Sequence, residues 1–248
     1  MASPNYNINI MLLNKVLQQK WPNRLVIVRH GQSIYNEERE LINRGVLITY
    51  TRNVKDIRNA DVRLSGVGEK QAAKTAVGLK KDYGNFDLIF ASPFRRACHT
   101  ARIIARRFPK ARFVIEERVR EKEFGIADGL TPEEIKGRFP YEFERKQKEK
   151  KYYYRPIGGE SYPDVNLRVW SFLSSMVREY SGKNILVVCH SAVMLSFRKL
   201  MEKFTEAELL EIDRTDDLKN CAVLSYKYDP NLKPKSKMIL KTHNKIYW

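Results

Sequence analysis

The chain has 248 residues, 46 of them Lys or Arg and 29 Asp or Glu, for a formal charge of +17. That length suits one large domain, or one domain with sizeable insertions, and 43 % hydrophobic residues exclude global disorder. Three Cys exclude a dense disulfide framework and suit a reducing compartment. No apolar run approaches the roughly 18 residues needed to cross a bilayer. The first 20 residues lack the basic, apolar and small-residue order of a secretory signal. A soluble, cytoplasmic protein is therefore expected. The charge invites a polyanion partner: nucleic acid, an anionic membrane or a phosphorylated substrate. A basic surface serving solubility is the plain alternative, and composition does not choose.

In chain order, four short apolar runs read as strands covered on both faces. They are Leu25 to Val28, Phe86 to Phe90, Phe113 to Ile115 and Ile185 to Val188. Helical patterns alternate with them. Ser65 caps a helix running to about Tyr83, and Ser92 with Pro93 at the first helical position opens one running to about Phe108. Pro163 opens another to about Tyr180, and Ala192 to Lys203 follows the fourth strand. This alternation predicts an α/β fold with a mostly parallel central sheet and helices on both faces.

Two stretches break the rhythm and read as cap insertions over one end of the sheet, about 37–60 and 125–163. The second holds a short helix with a capping box at Thr131-Pro132-Glu133-Glu134. After it, Tyr141 to Arg155 carries six basic, three acidic and five aromatic residues. A basic tail from Lys227 suggests an edge strand near Met238 to Leu240. The expectation is a single domain over 1–248, with its core at about 24–225.

The polar residues that close the apolar runs carry the chemistry. The runs end in Arg29-His30-Gly31, in Ser92-Pro93 with Arg95 and Arg96 just beyond, in Arg120-Glu121 and in Cys189-His190. Ligands of parallel α/β sheets bind outside the carboxyl ends of the strands. Four ends would deliver two His, at least two Arg and a Glu to one crevice. A lone His at a strand end is more often a packing residue; several polar ends converging are harder to explain that way. His99 and His243 read as surface or packing residues, Cys189 as a small buried hydrophobe, and the Tyr152-Tyr153-Tyr154 run as insertion packing.

Arg29-His30-Gly31-Gln32-Ser33, with Asn36, resembles the Arg-His-Gly motif of the histidine phosphatase superfamily, in its phosphoglycerate-mutase-like branch. Asp61 to Ser65 with Gly68 and Gln71, Ser92-Pro93-Phe94-Arg95-Arg96-Ala97, Arg120-Glu121 with Gly125, Gly158-Gly159-Glu160-Ser161 and Val187 to His190 resemble further family elements in order. The resemblance covers roughly residues 24–200. It implies His30 as nucleophile through a phosphohistidine and Glu121 as general acid and base. It implies Arg29, Arg96 and His190 as phosphate-binding and charge-stabilising groups, with Asn36 a neutral donor. Gln32, Ser33 and Lys122 stand as further phosphate-binding candidates. The physics agrees: phosphoryl transfer is mainly positioning and electrostatics, Arg matches phosphate oxygens bidentately, and an attacking imidazole must have its other nitrogen held as a donor, here to a nearby backbone carbonyl. Glu121 would need a raised pKa.

No metal or other cofactor is implied, and no Cys/His spacing of a structural zinc site occurs. The segments Glu121 to Gly125 and Tyr153 to Gly159 depart from the mutase pattern, so a phosphomonoesterase acting on a small phosphorylated substrate is expected. A cofactor-dependent phosphoglycerate mutase is the second reading. A basic polyanion-binding protein with an idle pocket is the third, though no nucleic-acid or membrane motif supports it. Arg44, Arg52, Lys122, Arg145 and Arg155 are candidates to reach a second phosphate or carboxylate.

Overall fold

The computed structural model describes residues 20–232 and 238–248. Its framework is a six-stranded sheet in the order β3-β2-β4-β1-β5-β6. Strands β1 (Arg24–Arg29), β2 (Leu88–Ala91), β3 (Arg112–Ile115) and β4 (Asn184–Cys189) are mutually parallel. Strands β5 (Val223–Tyr228) and β6 (Met238–Lys245) add an antiparallel edge. The edge strand expected near Met238 thus runs further, to Lys245. β5 is a strand that the sequence reading did not include.

The continuous apolar runs serve both faces by the period-two alternation of strands. Leu25, Ile27, Phe90, Ile185 and Val187 face one layer. There they meet Val169, Phe172 and Met176 of α7 (Tyr162–Glu179) and Met194 and Phe197 of α8 (Ser191–Glu202). Val26, Val28, Ile89, Leu186 and Val188 face the other. Their partners there include Ala76 and Leu79 of α3 (Gly66–Tyr83) and Ala97, Ala101 and Ile104 of α4 (Arg95–Ala105). The small alanines of α3 and α4 let these helices lie close to the sheet.

The first insertion contains α1 (Ile34–Asn43), capped by a Ser33–Asn36 capping box, and the single turn α2 (Arg52–Lys55). The second contains α5 (Pro132–Arg138), with the expected Thr131 capping box, and α6 (Pro140–Tyr153). Tyr152 and Tyr154 are buried and Tyr153 is exposed, so the tyrosine run does pack this insertion down. Helix α9 (Glu206–Thr215) leads to the loop before β5. No helix among the described residues is long and apolar enough to cross a membrane.

One expected cap is corrected. Helix α4 starts at Arg95 with Phe94 at the cap position and no side-chain cap bond. Ser92 and Pro93 therefore lie outside it. The Ser92 hydroxyl has a stronger demand on it: it meets His190 Nε2 at 2.8 Å and accepts from the Phe94 N–H at 3.2 Å.

Candidate active site

Sheet register sets the site. Arg29 pairs with Cys189, and Val188 lies level with both Val28 and Ala91. His30 and His190 therefore leave the sheet at one height, and Ser92 leaves it one residue earlier, level with Arg29 and Cys189. The backbone locks this exit: the His30 N–H donates to the Cys189 carbonyl at 3.0 Å, and the Ser92 N–H to Val188 at 3.0 Å. Gly31 is required by close approach, since a Cβ there would stand 2.4 Å from the Gly68 carbonyl oxygen. Its N–H donates to Thr100 Oγ1 at 3.0 Å, tying the turn to α4.

His30 is buried, and its Nδ1 lies 2.7 Å from the Gly31 carbonyl oxygen. A carbonyl only accepts, so Nδ1 carries the proton and the Nε2 lone pair is left for chemistry. Arg96 Nε donates to that Nε2 at 3.3 Å. Burial, then the charges of Arg96 and Arg29, holds the His30 pKa well below the usual imidazole range. The ring is neutral at physiological pH, as a nucleophile must be.

The two guanidiniums are buried and anchored by backbone carbonyls. Arg29 Nη1 donates to Leu218 O, and Arg96 Nη1 donates to Asn59 O at 2.6 Å. Desolvation brings Arg29 down to about 10, which leaves it cationic at neutral pH. Arg29 Nε is buried with no hydrogen-bond partner among the described residues, and so is His190 Nδ1. The His190 ring centroid stands 5.0 Å from that of His30. The 2.8 Å contact of Ser92 Oγ with His190 Nε2 leaves Nδ1 as the ring nitrogen that faces the site, and with Ser92 as the donor Nδ1 carries the proton. Two such buried donors beside a nucleophile are what an anion's oxygens would satisfy.

Glu121 is buried, with Oε1 accepting the Lys122 backbone N–H at 2.9 Å and Oε2 3.5 Å from His190 Nδ1. Desolvation raises its pKa, against the pull of Arg96 and Arg29. Burial, more than a charged lining, is thus what raises it. Glu121, His30 and His190 each present one ligand-type atom, all within 4.8 Å of one another. The guanidiniums of Arg96 and Arg29 bear on both histidines and oppose a cation there, so the donor set does not fit a metal ion.

Arg29, His30, Arg96 and Glu121 line one cavity of about 280 Å³, and His190 adjoins it through its contacts with His30 and Glu121. Ser33, Asn36 and Lys122 line it too, Ser33 mainly as the cap of α1. Gln32 is not brought in. Its Oε1 accepts from Ser65 Oγ at 2.8 Å, and the side chain lines a neighbouring cavity instead. Asn36 uses Oδ1 as acceptor for the Ser33 N–H at 3.2 Å and for Asn220 Nδ2 at 3.2 Å. His243 bonds Asp216 at 2.6 Å and Arg198 at 2.9 Å, and His99 faces Glu69 at 3.8 Å, both remote from the cavity lining.

Sequence reasoning missed Arg39, Leu218 and Asn220. Arg39 sits one helical turn after Asn36 and lines the cavity; the spacing of three was the available signal. Asn220 Nδ2 also donates to the His30 carbonyl at 3.1 Å. Its role, and that of the Leu218 carbonyl, had no local signal.

The pattern of the family described as "Histidine phosphatase superfamily (branch 1)" matches residues 25–236. The chain is 29 % identical over 174 residues to the fructose-2,6-bisphosphatase of Saccharomyces cerevisiae, a match covering 70 % of this chain and 33 % of that protein. The chain thus spans about a third of that relative's length. It is 28 % identical over 194 residues to a 2,3-bisphosphoglycerate-dependent phosphoglycerate mutase of Rhizobium rhizogenes, covering 76 % of this chain and 84 % of that one. Among solved structures, a mycobacterial glucosyl-3-phosphoglycerate phosphatase superposes with a TM-score of 0.66 at 23 % identity, over 88 % of this chain and 96 % of that one. A buried neutral histidine between two anchored arginines, a buried acid, and a family match over most of the sequence agree, and the chain belongs to the histidine phosphatase superfamily.

Proposed function

We propose that the protein is a phosphomonoesterase that works through a phosphohistidine on His30 and acts on a small phosphorylated substrate. The observation that carries this is His30 itself: buried, its proton fixed on Nδ1 by the Gly31 carbonyl, its Nε2 lone pair between Arg29, Arg96 and His190. In the first step the Nε2 lone pair attacks phosphorus and the P–O ester bond breaks. The leaving oxygen takes the proton of the Glu121 carboxyl. In the second step the Glu121 carboxylate takes a proton from water, the hydroxide oxygen attacks phosphorus, and the N–P bond breaks to release inorganic phosphate. Arg29, Arg96 and His190 Nδ1–H hold the equatorial oxygens throughout.

The cavity volume of about 280 Å³ lies at the small end for ligand pockets and favours a small substrate. The mutase relatives favour one second reading, a 2,3-bisphosphoglycerate-dependent mutase. Wild type should hydrolyse p-nitrophenyl phosphate, and His30→Ala should lose at least about 10⁴-fold in kcat. Undiminished turnover by His30→Ala rejects the mechanism. Isomerisation of 3-phosphoglycerate, assayed with and without 2,3-bisphosphoglycerate, separates mutase from phosphatase.

A further inference from the structure

One support of the site comes from the antiparallel edge of the sheet. Strand β6 bulges where it passes β5. Val223 pairs with Lys245 but Ser225 with Thr242, so β6 carries one extra residue between the two pairs. Asn244 lies in this bulge with a φ of 47°, a left-handed conformation that Asn tolerates better than most residues. In a regular strand successive side chains point to opposite faces. Here two successive side chains reach one carboxylate. His243 Nε2 lies 2.6 Å from Asp216 Oδ2, and Asn244 Nδ2 donates to Asp216 Oδ1 at 3.2 Å.

The Asn244 carboxamide also grips the loop backbone beyond Asp216. Nδ2 donates to the Asp217 carbonyl at 3.2 Å, and Oδ1 accepts from the Lys219 N–H at 3.3 Å. That N–H and the Leu218 carbonyl belong to one peptide group, and in a planar trans peptide they point opposite ways. Arg29 donates to the carbonyl on one side, and Asn244 accepts from the N–H on the other. The peptide that anchors Arg29 is thus held at both ends. Next to it, Trp248 Nε1 donates to the Asn220 carbonyl at 2.9 Å. Asn220 Nδ2 and the Cys221 N–H in turn donate to the His30 carbonyl at 3.1 and 3.2 Å. Among the described residues, Asn244 is the only side chain from outside the loop that bonds the backbone of Asp217 or Lys219.

We propose that Asn244 is a positioning residue: from the bulge of β6 it orients the peptide group that holds Arg29, and with it the loop that holds His30. It does not line the catalytic cavity and acts only through this loop. The proposal rests on the phosphatase reading for its kinetic readout, so a binding readout accompanies it. The two probes are orthovanadate and inorganic phosphate. Vanadate can take the five-coordinate shape of a phosphoryl group in transfer, whereas phosphate keeps the tetrahedral shape of the ground state. A site whose Arg29 and His30 are misplaced loses more affinity for the first than for the second.

Asn244→Asp keeps the size and the left-handed tolerance of Asn and loses the two donor bonds. Asn244→Gly keeps the backbone conformation and loses the whole side chain. Each should lower kcat on p-nitrophenyl phosphate by about tenfold and leave KM within about twofold. By calorimetry each should weaken vanadate by about tenfold and phosphate by less than about threefold. Lys245→Gln is the control on the same strand, where it breaks the 2.5 Å ion pair with Asp82 of α3. It should leave kcat and the vanadate-to-phosphate affinity ratio within about twofold. Thermal melting verifies that each variant is folded, and Asn244→Asp decides alone if Asn244→Gly does not fold. A merely structural Asn244 would lower the melting temperature and leave the affinity ratio unchanged, and that result overturns the proposal. An equal loss in Lys245→Gln overturns it too. Failure of wild type to hydrolyse any phosphate ester would instead strike the phosphatase reading and leave the affinity ratio to judge Asn244.

Discussion

The floor of the cavity and its cap are built on different principles. On the floor, side chains leave strand ends and the start of α4, and their polar ends are fixed by backbone carbonyls: Gly31 O for His30, Leu218 O for Arg29 and Asn59 O for Arg96. In the cap, side chains fix one another, as in Arg145 with Glu142 and Glu149, Tyr154 with Glu142, and Arg155 with Asp164. A backbone anchor survives changes in neighbouring side chains. A side-chain network is rewired by single substitutions. The floor is thus suited to one reaction, and the cap to variation in what is admitted to it.

The contrast sharpens most at Glu121. Glu121→Gln should lower kcat by about 10²–10⁴-fold, because it removes the proton for the leaving group. In wild type the acid must be protonated, and burial raises its pKa. Activity should therefore persist upward in pH to that raised value and fall above it. A pH–rate profile that keeps its alkaline limb in Glu121→Gln would assign the limb to another group.

Asn220→Ala tests whether floor anchoring reaches beyond the strands. Asn220 bonds both the His30 carbonyl and Asn36 Oδ1 without lining the catalytic cavity. Loss of these bonds should cost about tenfold in kcat with little change in KM, since misplacing reacting groups costs rate. A loss confined to KM would contradict this positioning role.

Acid titration addresses the floor as a whole. His30 and His190 have pKa values held well below the ordinary 6.5 by burial. Below pH 6.5 the unfolded chain binds two protons that the folded site refuses, so their contribution is present above that pH and is lost as pH falls. Glu121, with its raised pKa, offsets part of this loss. Urea titrations should show stability falling as pH drops below about 6.5, and falling less steeply in a His30→Gln, His190→Gln double variant.

The smallest effect belongs to the cap. Tyr154→Phe removes the hydroxyl that donates to buried Glu142 at 3.0 Å. It should cost about 1 kcal/mol of stability and leave p-nitrophenyl phosphate turnover within about twofold. A larger loss of turnover than of stability would show that the cap holds the floor in place.

The legible part of the molecule follows the same division. Strand runs and the polar residues that end them announce themselves locally, so His30, His190 and the two arginines could be placed before any geometry was known. Gln32 could not, because the direction of a side chain just past a strand end depends on what it meets, here Ser65. Ser92 reads as a helix cap by its neighbour Pro93, yet a buried histidine took its hydroxyl. Leu218 acts through its carbonyl, which no side-chain pattern reveals. Lys122 reads as one basic residue among many, and only its burial on the cavity wall sets it apart.

The bond from Arg29 to Leu218 spans 189 residues, and that from Asn220 to the His30 carbonyl spans 190. His30, the proposed nucleophile, is therefore made early and its supports last. At ordinary rates of synthesis, roughly 5–20 residues per second, about 10–40 s separate the two on the ribosome. Strand β1 waits as well, because both of its sheet neighbours, β4 and β5, come from the last third of the chain. A nascent chain carrying His30 is thus a bare apolar strand without a working site. Chains that stop before Leu218 should therefore lack phosphatase activity, a result that ribosome-released truncations would check.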